Sequence, residues 1–217
     1  MADDGQQRES ALAGSRAAHA LLLADLSTLT DDQARSASAL PGWSVGHVLT
    51  HIARNGDSYT RMMTAAMNGE CVTQYDGGIE RRAADIEAGA PRPAAELVAD
   101  VAGSIARLER TWERMTPLAW RGHGLNAAGQ TWPCEAMPFH RWREVTVHHT
   151  DLDLGYSVAQ WPVDYVEREL AIGLRGLAER LTVDGRRRTL AWLLGRGEQP
   201  GGLELAPWQS RPNHYLC

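Results

Sequence analysis

The chain has 217 residues, 43% of them hydrophobic and 23% charged, with a formal net charge of −5. This composition excludes an extended disordered polymer and fits one large folded domain, or one domain with a smaller appendage, while the acidic balance argues against nucleic acid as the main partner. All 22 basic residues are arginine, which removes Schiff-base and phosphate-loop lysine chemistry and, with abundant Ala and Gly, suggests a GC-rich bacterial genome.

In chain order, Leu12, Ala17, Leu21, Leu22 and Leu26 recur near helical spacing and predict a helix over residues 6–29, ended by a turn at Thr28 to Asp32. Ser44 is placed to cap a second helix running to about Asn68, with Val45, Val48, Leu49, Ile52, Tyr59, Met62 and Met63 on its buried side. Residues 71–78 read as loop and 79–88 as a short helix. Pro91 and Pro93 open a third long helix through Leu97, Val101, Ile105, Leu108 and Trp112. Glycines 122, 124 and 129 predict a small hairpin, and residues 137–155 a fourth long helix. Four long helices with such connections make a four-helix bundle. Beyond Trp161 and Pro162 the pattern predicts a helix over 163–181 and another over 189–194, ending at Gly195-Arg196-Gly197.

Cys71, Cys134 and Cys217 are odd in number and widely spaced, so neither a disulfide framework nor a cysteine zinc knuckle is expected. The polar, acidic start and the lack of a run of roughly 18 apolar residues predict a soluble, cytoplasmic protein with no membrane partner.

The residues that carry chemistry lie on two distant segments. At about 100° per residue, His140, Glu144 and His148 form one stripe of the fourth helix; Asp151 returns to that face, and His149 falls on the far side. His47 and His51 form a similar pair on the second helix. Two imidazoles and a carboxylate are a common set of ligands for a divalent cation with an open position. Buried His and Glu without a partner are costly, so aligned ones argue for a bound ion. Spacing alone does not choose between His47 with His51 and His140 with Glu144 and His148.

The segments Leu40-Pro-Gly-Trp-Ser-Val-Gly-His-Val-Leu-Thr-His51-Ile-Ala-Arg-Asn55 and Arg143-Glu144-Val-Thr-Val-His148-His-Thr-Asp151-Leu resemble the mycothiol-dependent maleylpyruvate isomerase family, within the DinB-like helical bundle superfamily. The resemblance covers about residues 8–155, and Leu190-Ala-Trp-Leu-Leu-Gly-Arg196-Gly is similar to the closing segment of that family's C-terminal domain. It implies an all-α, DinB-like metal-binding bundle over residues 1–158 and a short, mostly helical C-terminal region over 159–217. It implies Zn2+ on His51, Glu144 and His148, with His47 and His140 beside the ligands or in packing, and catalytic weight on Asp151, Arg82 and Arg196. The implied partners are mycothiol, a low-molecular-weight thiol, and a small-molecule substrate, in a monomer or homodimer.

The implied reaction is isomerisation of maleylpyruvate to fumarylpyruvate or of a close analogue. Turning a cis alkene conjugated to a carbonyl into its trans isomer needs temporary single-bond character, which an adding and departing thiolate provides. One departure from the family pattern stands out. Family members carry several strands between the helix after the junction and the closing Gly-Arg helix, whereas only residues 183–189 separate them here. This keeps two alternatives open: a mycothiol-dependent S-transferase or thiol-exchange enzyme acting on another electrophile, and a non-catalytic metal-binding helical module.

Overall fold

A computed structural model describes residues 4–199 and 201. The chain divides after Trp161 into two compact units. The first holds four long helices, α1 (Asp4–Leu26), α3 (Val45–Met67), α5 (Ala94–Arg114) and α7 (Met137–Asp151). Between them lie α2 (Asp31–Arg35), α4 (Gly78–Gly89), α6 (Pro117–Trp120) and an antiparallel hairpin, β1 (His123–Leu125) with β2 (Thr131–Pro133). The architecture is all-α: a four-helix bundle with one small hairpin.

Local sequence accounts for most element ends. Thr30 caps α2 through a capping box with Gln33, so the expected turn after α1 contains a short helix of its own. The stretch predicted as one helix over 137–155 stops at Asp151, and Asp153 follows in the left-handed region with φ 55°. Ser44 caps α3, and the residue that completes its capping box is His47: the His47 Nδ1 accepts the Ser44 backbone N–H at 3.1 Å. Histidine thus does the work usually left to Glu or Gln.

Packing follows the apolar stripes. α3 lies mainly on α5, and α1 on α7. The core gathers Leu22 and Leu26 of α1, Val45, Val48, Leu49 and Ile52 of α3, Leu97, Val101 and Ile105 of α5, and Val145 of α7. Leu49 and Ile52 are fully buried, and each such side chain contributes about 1.5–3 kcal/mol relative to exposure. Ser104 of α5 donates to the Ala53 carbonyl of α3 at 2.7 Å, which fixes the register of the two helices as well as their separation.

The second unit contains α8 (Val163–Arg175), α9 (Leu177–Arg180) and α10 (Val183–Leu193). The single helix predicted over 163–181 is interrupted at Gly176, and α10 begins earlier than predicted because Thr182 caps it by accepting the Gly185 N–H at 3.0 Å. Its end is a Schellman motif: the Arg196 N–H reaches the Ala191 carbonyl at 2.7 Å, the Gly195 N–H reaches Trp192 at 2.9 Å, and Gly195 takes φ 65°. The Gly-Arg signature is therefore, at the least, a helix stop. Cys71 is exposed and Cys134 buried, both as free thiols, while Cys217 lies outside the described residues. No helix among the described residues is long and apolar enough to cross a membrane.

The end of α4 docks on the first turns of α3 because Gly46 has no side chain. A Cβ there would stand 2.2 Å from the Ala90 carbonyl oxygen, a backbone atom that cannot rotate away. Gly46→Ala is expected to destabilise the fold by about 1–3 kcal/mol in urea melts, because overpacking exceeds the ~1 kcal/mol that alanine gains over glycine in a helix. Unchanged stability would show that the two helices separate freely.

Candidate metal centre

α3 and α7 each turn a polar stripe toward the other. His51 lies on the same face of α3 as Asn55, one turn apart, and Glu144 and His148 are likewise one turn apart on α7. The His51 Nε2 lies 3.0 Å from the His148 Nε2 and 3.2 Å from the Glu144 Oε2, and the His148 Nε2 lies 3.6 Å from that same oxygen. Both imidazoles are buried and the carboxylate partly so.

These separations test the fit to a divalent cation. Ligand atoms about 2.0–2.1 Å from a tetrahedral centre lie about 3.3 Å from one another. Two nitrogens and an oxygen at 3.0, 3.2 and 3.6 Å are already one face of such a tetrahedron. Among the described residues this is the group of His, Cys, Asp and Glu that could hold a metal ion.

Contacts behind the donors set their orientation. The His148 Nδ1 is 2.8 Å from the Asp151 Oδ2. A carboxylate accepts, so the Nδ1 carries the proton toward it and the Nε2 is directed at the cluster. Trp43 stacks on His47 and meets His51 edge-on, with centroids 6.1 and 5.9 Å apart. The loop carrying Trp43 is tied to α7 by the Ala39 N–H, which donates to the Asp151 carbonyl at 2.9 Å. On the other side of His51, the Arg82 Nη2 lies 2.9 Å from the Nδ1, and the guanidinium stands over the Tyr75 ring at 5.5 Å. A guanidinium only donates, so this contact opposes a proton on the His51 Nδ1, while the His148 Nε2 3.0 Å away opposes one on the Nε2. Coordination through the Nε2 needs that nitrogen bare, and therefore needs Arg82 to disengage.

The remaining predicted residues fall elsewhere. His47 is in the capping box, with its Nε2 3.4 Å from Glu87. His140 is buried against Trp132, centroids 4.7 Å apart, with Arg143 3.0 Å from its Nδ1. His149, on the far side as expected, pairs with Asp25 at 3.1 Å and stacks on Tyr156 at 4.0 Å. Arg196 belongs to the second unit, is exposed, and its side chain reaches the carbonyls of Leu194 and Gly195. Asn55, whose Nδ2 donates to the Glu144 Oε2 at 3.2 Å, was given no role by sequence reasoning. Its position one turn past His51 was the available signal.

Protonation divides the three donors. Burial lowers the His51 pKa to about 4, so this imidazole is neutral at pH 7. Burial works the same way on His148, but hydrogen bonds with Asp151 and Glu144 outweigh it and raise the value to about 9. Glu144 is driven upward by burial and held well below the ordinary carboxylate range by its bonds with His148 and His51.

A helical bundle with a buried two-histidine, one-carboxylate cluster between two of its long helices defines the class. The comparisons give the family. The profile of the mycothiol maleylpyruvate isomerase N-terminal domain matches residues 15–153, and the chain belongs to that family. The matched residues include the cluster, Arg82, Asn55 and Asp151, and exclude Arg196. Solved structures similar to the chain include the crystal structure of the mycothiol-dependent maleylpyruvate isomerase, 28% identical, covering 76% of this chain and 68% of that one with a TM-score of 0.71. A histidine-to-alanine mutant of the mycothiol-dependent maleylpyruvate isomerase matches at 27% identity with the same coverage and TM-score. A search of curated proteins gives no match.

Before an ion binds, the cluster holds a proton between pH values of about 4 and about 9. That proton stabilises the metal-free fold; its contribution is complete below the ordinary histidine value of 6.5 and is lost as pH rises through about 9. An incoming cation must displace it. Zinc affinity, measured by chelator competition, is therefore expected to rise about tenfold per pH unit through neutrality and to level off near the upper value. Affinity independent of pH between 6 and 8 would contradict the proton count. In metal analysis His51→Ala is expected to lose stoichiometric zinc, and retention would remove this imidazole from the ligand set.

Proposed function

We propose that the chain is a zinc enzyme that uses the thiol of mycothiol as a nucleophile, with cis–trans isomerisation of maleylpyruvate or a close analogue as its reaction. The observation that carries this reading is the convergence of His51, Glu144 and His148 within bonding reach of one point, in a chain of this family. His51, Glu144 and His148 would hold the ion, and a divalent cation there supplies the Lewis acidity that makes a thiolate available at neutral pH. The thiol supplies reversible addition to the conjugated alkene, and with it the rotation that a double bond forbids.

The protein's own groups do the rest. Asp151 holds His148 in the tautomer that aims its Nε2 inward. The Arg82 guanidinium borders the cluster, and once it disengages from His51 its planar fork is free to pair with a substrate carboxylate or with the enolate oxygen that thiol addition creates. Arg196 is assigned the second anionic group of the substrate, a role that rests on the family resemblance of its segment. The reaction is redox-neutral and needs no nucleotide.

A second reading, thiol transfer to another electrophile, is favoured by one feature. Among its described residues the second unit has three helices and no strand, where the resemblance implies a sheet.

The direct test incubates the purified chain with zinc, mycothiol and maleylpyruvate and follows loss of the cis isomer by absorbance and chromatography. Thiol-dependent conversion supports the isomerase. Inertness toward maleylpyruvate together with conjugation of a model electrophile supports transfer, and inactivity in both overturns both readings. Arg82→Gln separates the two tasks of that side chain. Removing a cation that also favours the competing tautomer is expected to tighten zinc binding a few-fold, while kcat/KM falls about 10²-fold through loss of a charge-assisted contact. Zinc affinity and turnover falling together would show that Arg82 supports the metal site instead.

A further inference from the structure

We propose that Arg141 and Asn55 are positioning residues that act in series on the Glu144 carboxylate, so that a buried cation sets the aim of the anion in the metal centre. This rests on the metal reading above, but on atoms that reading does not use.

A line of hydrogen bonds crosses the bundle. It starts at Glu109 on α5, whose Oε1 lies 2.8 Å from the His19 Nδ1 on α1. The His19 Nε2 accepts from the Arg141 Nε of α7 at 3.0 Å. The Arg141 Nη1 donates to the Ile52 carbonyl at 2.9 Å and to the Asn55 Oδ1 at 2.8 Å, both on α3. The Asn55 Nδ2 then donates to the Glu144 Oε2 at 3.2 Å, and this oxygen is the one facing His51 and His148.

The direction of every bond follows from one fact: a guanidinium has donors and no acceptor. The His19 Nε2 must therefore accept, which sends its proton to the Nδ1 and toward Glu109. Asn55 must turn its oxygen to Arg141, which leaves its amide nitrogen to donate to Glu144. An isolated asparagine beside a carboxylate is free to flip; this one is not. Its N–H also donates to the anionic oxygen aimed at the metal, the kind of outer contact that fixes ligand orientation.

Burial makes the arrangement hard to explain as packing. Arg141 is fully buried, Asn55 is 2% exposed and His19 is 1% exposed. None of the bonded partners of Arg141 on α1 and α3 is a carboxylate. A buried cation is usually tolerated beside a direct counter-ion. Here the charge reaches two anions, each through one neutral residue: Glu109 through His19, and Glu144 through the Asn55 amide.

The test is a double-mutant cycle on the full chain, comparing Asn55→Leu, Arg141→Met and the double variant with the unaltered protein. Zinc affinity is measured by chelator competition and site geometry by the visible absorption of bound Co2+, with circular dichroism confirming the fold. Each single change is expected to weaken zinc about 10- to 100-fold and to shift the Co2+ bands alike. Because the residues act in series, the double variant should bind no more weakly than Asn55→Leu alone. Additive losses, or wild-type affinity in folded Asn55→Leu, overturn the relay and leave the metal reading standing. Absence of stoichiometric zinc from the unaltered chain overturns the metal reading and the relay with it. Should Arg141→Met fail to fold, Arg141→Lys enters the same cycle: its ammonium cannot hold His19, Ile52 and Asn55 together, so affinity should still fall, and wild-type affinity there overturns the proposal.

Discussion

Two imidazole nitrogens from residues 97 apart in sequence stand 3.0 Å from each other in the interior of the bundle. Holding them so close, beside a carboxylate oxygen, requires α3 and α7 to keep one separation and one register. The α3–α5 interface, with Ser104 bonded to Ala53, and the α1–α7 interface, with Ser15 bonded to the Pro138 carbonyl at 2.7 Å, supply that restraint. Apolar burial holds the helices together, and polar contacts of this kind decide where along each helix the neighbours meet.

The four long helices could be read from the chain because each carries an apolar stripe of helical period bounded by cap or breaker residues, as with Ser44 before Val45. The short helix after α1, the break at Gly176 and the early start of α10 depended on single hydroxyl or glycine contacts, and periodicity is blind to those. For the site, sequence put His140, Glu144 and His148 on one stripe and His47 with His51 on another. Which histidines face across the gap is a property of how two helices are rotated against each other. His47 lies at the helix start, where backbone donors need a partner, and His140 lies level with Trp132. In the sequence Arg141 is one of 22 arginines, and nothing in local spacing distinguishes a buried arginine from a solvated one.

Charge is distributed around the cluster with a clear division. On one side, Asp151 and Glu144 raise the proton affinity of His148. On the other, Arg82 stands against His51, whose burial keeps it neutral. The same guanidinium lies over the Tyr75 ring, a second contact made beside the first. α4 thus brings one cation to the edge of the cluster and holds it there through two contacts.

The line of bonds from Glu109 to Glu144 takes at least one member from each of the four long helices. Detaching any one of them cuts the wiring behind the carboxylate even where the three donors themselves stay intact. The cluster is therefore a property of the assembled bundle and has no counterpart in a fragment of it: fraying at a distant helix and decay of the centre become one cooperative event.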